Sequence, residues 1–219
     1  MRVAVLSLCR DRLWATQHCF GLLQALAGTP FDHFVLDQGS EDGSEEWLRE
    51  DYQPMLLVEM KGNVGISRGI NILLDGIHVD DYDLIVKFDN DCELTQPDTL
   101  KVAAELVAAH PEWIVSPHIL GLNDPVQISH EETIDGVRVG VIGRIGGVFM
   151  AAPASLYQTY RHDINNPIWG MDDVHLGAYW QQQGGRLGYL LDYPASHNTQ
   201  WQRTQDPVYF ERKMAEFNA

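Results

Sequence analysis

DLIVKFDNDCELTQPDTLKVAAELVAAHPEWIVSPHIL, residues 83–120, is the stretch whose reading decides the fold. DLIVKFD is a strand with apolar residues on both faces, Pro97 and Asp98 open a helix over TLKVAAELVAAH, and WIVSPHIL (113–120) is a further strand. Two near-continuously apolar strands joined by a helix argue a parallel pair covered on both sides, the repeating unit of an open α/β sheet.

The same alternation runs back to the N-terminus. RVAVLSL (2–8) is a strand, followed by a helix that Asp11 is placed to cap and that continues to about Leu26, with Trp14, Leu22, Leu23 and Leu26 as apolar positions. FDHFVLD (31–37) is the second strand; DGSEEWL sets Asp42 three residues before Glu45, a capping-box pattern for a short helix. MLLVEM (55–60) and GISRGINILLDGI supply a third strand and helix. Beyond about residue 121 the rhythm changes. Asp135-Gly136 sits between two alternating runs and predicts a β-hairpin. IGGVFMAAP is a strand, ASLYQTYR a short helix, DDVHLGAYWQQQGG a helix ended at Gly184 or Gly185, and GRLGYLLDYPASH a last strand or two before a polar tail with a final short helix. With no internal repeat and no linker, the expectation is one α/β domain over 1–219, a mostly parallel central sheet flanked by helices.

Charge narrows the function. Lys and Arg number 15 against 31 Asp and Glu, a formal net charge of -16, which repels nucleic acid and anionic lipid surfaces. An anionic small substrate then needs local cations or a bound divalent ion. Cys9, Cys19 and Cys92 have no metal-binding spacing and read as buried thiols of a reducing compartment. No stretch approaches the roughly 20 apolar residues of a membrane helix, and the first residues read as a strand rather than a signal peptide, so the expected location is cytoplasmic.

In open α/β sheets ligands bind beyond the carboxyl ends of the strands. Four polar segments are expected at that edge: Ser7 to Arg10, Asp37 to Ser40, Gly62 to Gly65, and Asp89 to Asp91. Each alone is an ordinary turn. Asp89 and Asp91, one residue apart at a strand end, can hold a hard divalent cation such as Mn²⁺ or Mg²⁺; the bland reading of an isolated pair is a solvated strand end.

VLDQGSEDGS (35–44), GNVGISRGIN (62–71), KFDND (87–91), IGGVFMA (145–151) and WGMDDVHL (169–176), in this order and at these separations, resemble the motifs of a glycosyltransferase family 2 enzyme with the GT-A fold, over Val3 to about His197. The resemblance implies a metal-dependent, inverting transfer of a sugar from a nucleotide-diphosphate donor to a hydroxyl acceptor. Residues 1–120 would form the nucleotide-sugar half, 121–200 the acceptor side and 201–219 a tail. Asp37 would orient the nucleotide base, with Ser7, Cys9 and Gln38 nearby. Asn63, Gly65, Ser67, Arg68 and Asn71 would face the diphosphate or sugar from a helix start. Asp89 would contact ribose or metal, with Asn90 beside it; Asp91 would bind the metal, joined by His197. Gly146, Gly147 and Trp169 fall on the acceptor side. Asp173 would be the general base, with Asp172 its partner or a helix cap. Gln38 stands where many relatives carry an acid, and Ile70 where the family has an arginine. Those departures keep a non-catalytic nucleotide-sugar-binding module as the alternative. A sugar-phosphate nucleotidyltransferase or a dinucleotide-binding domain lacks its glycine-rich loop here.

Overall fold

The computed structural model describes residues 1–122, 126–197 and 207–217. In chain order it contains β1 (Val3–Cys9), α1 (Leu13–Leu26), β2 (Asp32–Asp37), α2 (Ser44–Trp47), β3 (Leu56–Glu59), α3 (Ile66–Asp75), β4 (Leu84–Phe88), β5 (Glu93–Leu94), α4 (Thr99–Ala109), β6 (Trp113–Leu120), β7 (Ile128–Ile134), β8 (Val137–Ile142), β9 (Phe149–Pro153), α5 (Leu156–Thr159), α6 (Asp172–Gln182), β10 (Arg186–Ser196) and a last helix, Pro207–Phe217.

A ten-stranded sheet runs in the order β3-β2-β1-β4-β9-β6-β10-β8-β7, with β5 paired to β10. The β1–β2, β2–β3, β1–β4 and β6–β10 pairs are parallel, whereas β9 enters antiparallel between β4 and β6 and β8 antiparallel to β10. The expected mostly parallel sheet is present, carrying inverted strands in its second half. β4 and β9 are buried along their whole length, and helices such as α4, with Leu100, Ala103, Ala104 and Val107 inward, cover the sheet. The Asp135-Gly136 turn closes the β7–β8 hairpin with both residues at positive φ, 49° and 83°. All three cysteines are free and buried. Among the described residues no helix is long and apolar enough to cross a membrane.

Two local expectations are corrected. Asp11 does not cap α1: Arg12 occupies the cap position at φ 61°, and the Leu13 N–H is taken by Asp42 Oδ2 at 2.7 Å, 29 residues away. Asp42 also accepts the Ser44 N–H and hydroxyl through Oδ1, so the capping box expected with Glu45 is not closed. One carboxylate thus serves two helix starts, a tertiary arrangement that local spacing does not reveal. Of the apolar positions of α1, Trp14 is 37% exposed, while Leu23 is buried.

The chain order reverses across β1, with β2 on one side and β4 on the other, so their following loops diverge and leave a crevice at the carboxyl edge. The candidate site lies there.

Candidate active site

A cleft of about 370 Å³ opens at this edge and runs into a recess of about 90 Å³; the two share Ile66, Asp89, Trp169 and His197. Its floor is the turn after β4. The Asp89 N–H donates to the Val148 carbonyl and the Cys92 N–H to the Asp89 carbonyl, at 2.9 and 3.1 Å, which folds 89–91 tightly against β9. Asn90 Nδ2 donates to Thr16 Oγ1 on α1. The opposite wall is the start of α6, where Met171 turns the chain at φ 67° and delivers Asp172 and Asp173.

Lys87 connects the walls. It lies in β4, is 3% exposed, and donates from Nζ to Asp89 Oδ1 at 2.7 Å and to the Gly147 carbonyl; Asp172 Oδ2 is 3.7 Å away. Burial alone would lower the lysine's pKa, but Asp89, Asp172 and Asp173 overcome it and hold the ammonium charged. Burial pushes Asp89 up to about 6, against the pull of Lys87. Asp173 is raised too, first by burial and then by Asp172, while Lys87 and the Val174 and Gly147 N–H groups oppose the shift. Gly147 is tightly approached: a β-carbon there would stand 3.3 Å from Lys87 Nζ and 3.4 Å from Asp173 Oδ2. Asp91 meets Arg12 Nη2 at 2.9 Å and His197 Nε2 at 3.3 Å.

Of the residues singled out in the sequence, Asp89, Asp173, Asp172, Gly146, Gly147, Trp169 and His197 line the cleft, and Gln38, Asn90 and Asp91 the recess. Others are elsewhere. Ser7 and Cys9 lie on the face of β1 opposite Leu8, which does line the recess; both are fully buried, and Ser7 Oγ is engaged by the Phe88 carbonyl and His33 Nε2. Asp37 is buried, its Oδ2 accepting the Ser40 N–H and its Oδ1 without a hydrogen-bond partner among the described residues, and burial raises its pKa. The helix start at Asn63 is consumed by the protein itself. The Val64 N–H goes to Gln38 Oε1, the Gly65 N–H to Asn63 Oδ1 and the Ile66 N–H to the Ile168 carbonyl, at 3.0, 2.9 and 3.1 Å. Arg68 is exposed and lines neither part of the cleft, and Asn71 spends its amide on the backbone of His162. In this structure the backbone donors of Val64, Gly65 and Ile66 are therefore already taken by the protein itself.

Four cations went unassigned in the sequence: Lys87, Arg12, Arg10 in the recess and Arg144 in the cleft. Lys87 and Arg12 are paired with Asp89 and Asp91, while Arg10 and Arg144 bring positive charge to the walls of the recess and cleft in a chain of net charge -16. Arg10 had a signal as the end of the Ser7 to Arg10 segment expected at this edge, and Lys87 as a charge inside an apolar strand.

No family profile matches the chain, and no curated protein does. Solved structures do. The mannosyltransferase PcManGT from Pyrobaculum calidifontis, in complex with GDP-Man and Mn²⁺, aligns with a TM-score of 0.66 at 17% identity, over 89% of this chain and 56% of that one. GalNAc-T7 with UDP, GalNAc and Mn²⁺ aligns at 0.70 and 12% identity, over 90% and 43%, and S. aureus TarS at 0.69 and 13%, over 93% and 38%. The likeness is one of fold: the chain has the GT-A architecture of glycosyltransferases, and it spans 38% to 56% of the length of these three.

Proposed function

We propose that the chain transfers a sugar from a nucleotide-diphosphate donor to a hydroxyl acceptor, with inversion at the anomeric carbon. The observation that carries this reading is the meeting, in one cleft, of a strand-end pair, Asp89 and Asp91, with a helix-start pair, Asp172 and Asp173, on the fold that glycosyltransferases use.

Roles follow from surroundings. Asp172 is 2% exposed and faces Lys87, so it holds the lysine rather than meeting substrate. Asp173 borders the cleft with a raised pKa, suited to take the proton of an acceptor hydroxyl as that oxygen attacks. Trp169 spans cleft and recess and offers a flat face to a sugar ring. Arg10, in the recess, and the buried Asp37 belong to the donor side, where Arg10 would face the diphosphate.

The residues suit a divalent ion. Asp91 Oδ2 and His197 Nε2 already converge to 3.3 Å. Among the described residues no group of three or more His, Cys, Asp or Glu side chains is gathered to hold a metal. Asp91 and His197, with Asp89 beside them, would hold Mn²⁺ or Mg²⁺ and leave the other positions to diphosphate oxygens and water. Such an ion supplies charge neutralisation at the departing nucleotide.

A second reading, a non-catalytic nucleotide-sugar module, is favoured by one feature: Lys87 and Arg12 already neutralise Asp89 and Asp91. Thermal shifts with UDP, GDP, dTDP and CDP, with and without Mn²⁺, test both. One nucleotide should stand out, with about 2.7 kcal/mol of added stability at a hundred times its dissociation constant. Transfer or hydrolysis of the matching nucleotide sugar then separates enzyme from module; absence of any metal-dependent nucleotide binding ends the first reading.

A further inference from the structure

Within GNVGISRGIN, Ile66 borders the cleft, and α3 lies along residues 160–171, the irregular segment that joins α5 to α6 and carries Trp169 and Asp172-Asp173 toward the cleft. Asn71 grips the backbone of one residue of that segment at both ends: Nδ2 donates to the His162 carbonyl at 2.8 Å, and Oδ1 accepts the His162 N–H at 3.0 Å. One turn earlier on the same helix face, the buried Ser67 Oγ accepts from Asn166 Nδ2 at 2.9 Å. At the helix start the Ile66 N–H donates to the Ile168 carbonyl at 3.1 Å. Gly65, at φ 84°, lets the backbones approach so closely that a β-carbon would stand 3.2 Å from Ile168 Cα. The contacts pair 71 with 162, 67 with 166 and 66 with 168, so the segment is laid antiparallel along the helix, and Trp169 is the next residue.

We propose that Ser67 and Asn71 are positioning residues: α3 splints the 160–171 segment and thereby sets where Asp173 stands relative to Asp89 and Asp91. The catalytic consequence rests on the transferase reading; the splint itself does not. A general base must lie within hydrogen-bond reach of the proton it takes, and a misplacement of about 1 Å can cost about 10²-fold in rate. Without the helix, the segment closes one turn of its own, from the Asn166 N–H to the Asp163 carbonyl.

Asn71→Ala and Ser67→Ala in the full chain test this, each read by steady-state transfer, nucleotide affinity and amide hydrogen exchange. The expected result is a fall in kcat of about tenfold or more, with nucleotide affinity held within about twofold. In Asn71→Ala the His162 amide should also exchange about tenfold faster or more while β1 and β4 keep their protection. Asn71→Asp, which keeps the acceptor for the His162 N–H, should fall between. Loss of nucleotide affinity with His162 protection intact would overturn the proposal, because the asparagine would then serve the donor; so would unchanged kcat and exchange in both variants. Should Asn71→Ala fail to fold, Ser67→Ala is read by kcat against nucleotide affinity and by exchange across 162–171. If the unaltered chain transfers no sugar, the exchange measurements still decide the splint, and the transferase reading alone fails.

Discussion

Two loops at the carboxyl edge, 62–65 after β3 and 89–91 after β4, are both made of turn-forming polar residues, and they end in opposite states. In the first, successive backbone donors from Val64 to Ile66 find acceptors on Gln38, Asn63 and Ile168. In the second, carboxylates border the cleft and are matched by Lys87 and Arg12, both nearly without solvent exposure. The difference teaches how to tell a turn from a site. A loop whose polar groups satisfy one another is structurally complete, whereas charge held against buried cations beside a cavity is expensive and implies an occupant that offsets it.

Asp173→Asn tests the contrast hardest. Transfer should fall by about 10²–10⁴-fold while the melting temperature holds, because burial already disfavours the charged carboxylate; activity assays beside thermal unfolding check it, and full activity would remove the chemistry from this side of the cleft. Lys87→Met is next. It strands Asp89 and Asp172 without their buried cation, so urea unfolding should show a loss on the order of 3–5 kcal/mol. Adding Asp172→Asn should recover part of it; a Lys87→Met protein as stable as the parent would mean the pair contributes nothing.

The pH profile sharpens the comparison further. Burial and Asp172 raise Asp173, so a base at this position loses its charge at a higher pH than an ordinary aspartate. Activity should therefore decline on the acid side at a higher pH than an unperturbed aspartate would give, and Asp172→Asn, by removing a like charge, should move that limb to lower pH. A limb that moves upward would show that the influence of Asp172 acts through Lys87 instead.

On the self-satisfied loop the effects are on stability. Gly65→Ala places a β-carbon at φ 84° against Ile168 and should cost about 1–3 kcal/mol. Asn63→Ala removes the acceptor of the Gly65 N–H and should cost about 1 kcal/mol. Calorimetric melting checks both, and nucleotide affinity should be unchanged for Asn63→Ala; a large loss there would erase the distinction between the loops.

Much of the architecture could be read in the chain because burial imposes periodicity: strands as apolar as IVKF in β4 and helices patterned like α4 announce themselves, as does the Asp135-Gly136 hairpin. The antiparallel insertion of β9 between β4 and β6 could not, since strand order is settled by packing between segments distant in sequence. In the site, Asp89, Asp91, Asp173, Gly147 and Trp169 were legible as cleft residues. That Ser7 and Cys9 are fully buried was not legible, because a strand end does not reveal which face is inward, nor was the exposure of Arg68, because a helix start does not reveal its rotation. Lys87 was visible as a charge in an apolar run, but its partners at the start of α6 and in the turn before β9 were not.

The amino-acid order alone determined the βα alternation, the hairpin and the acidic residues at the end of β4, because these follow from periodicity and turn chemistry within a few residues. Only the tertiary structure decided which polar groups satisfy the protein and which border the cleft. Lys87 and Asp172 are 85 residues apart in sequence yet their charged atoms lie 3.7 Å apart, and Asn71 and His162 meet across 91 residues. The cost of burying charge and unpaired backbone groups is settled by such distant partners, and no local pattern specifies them.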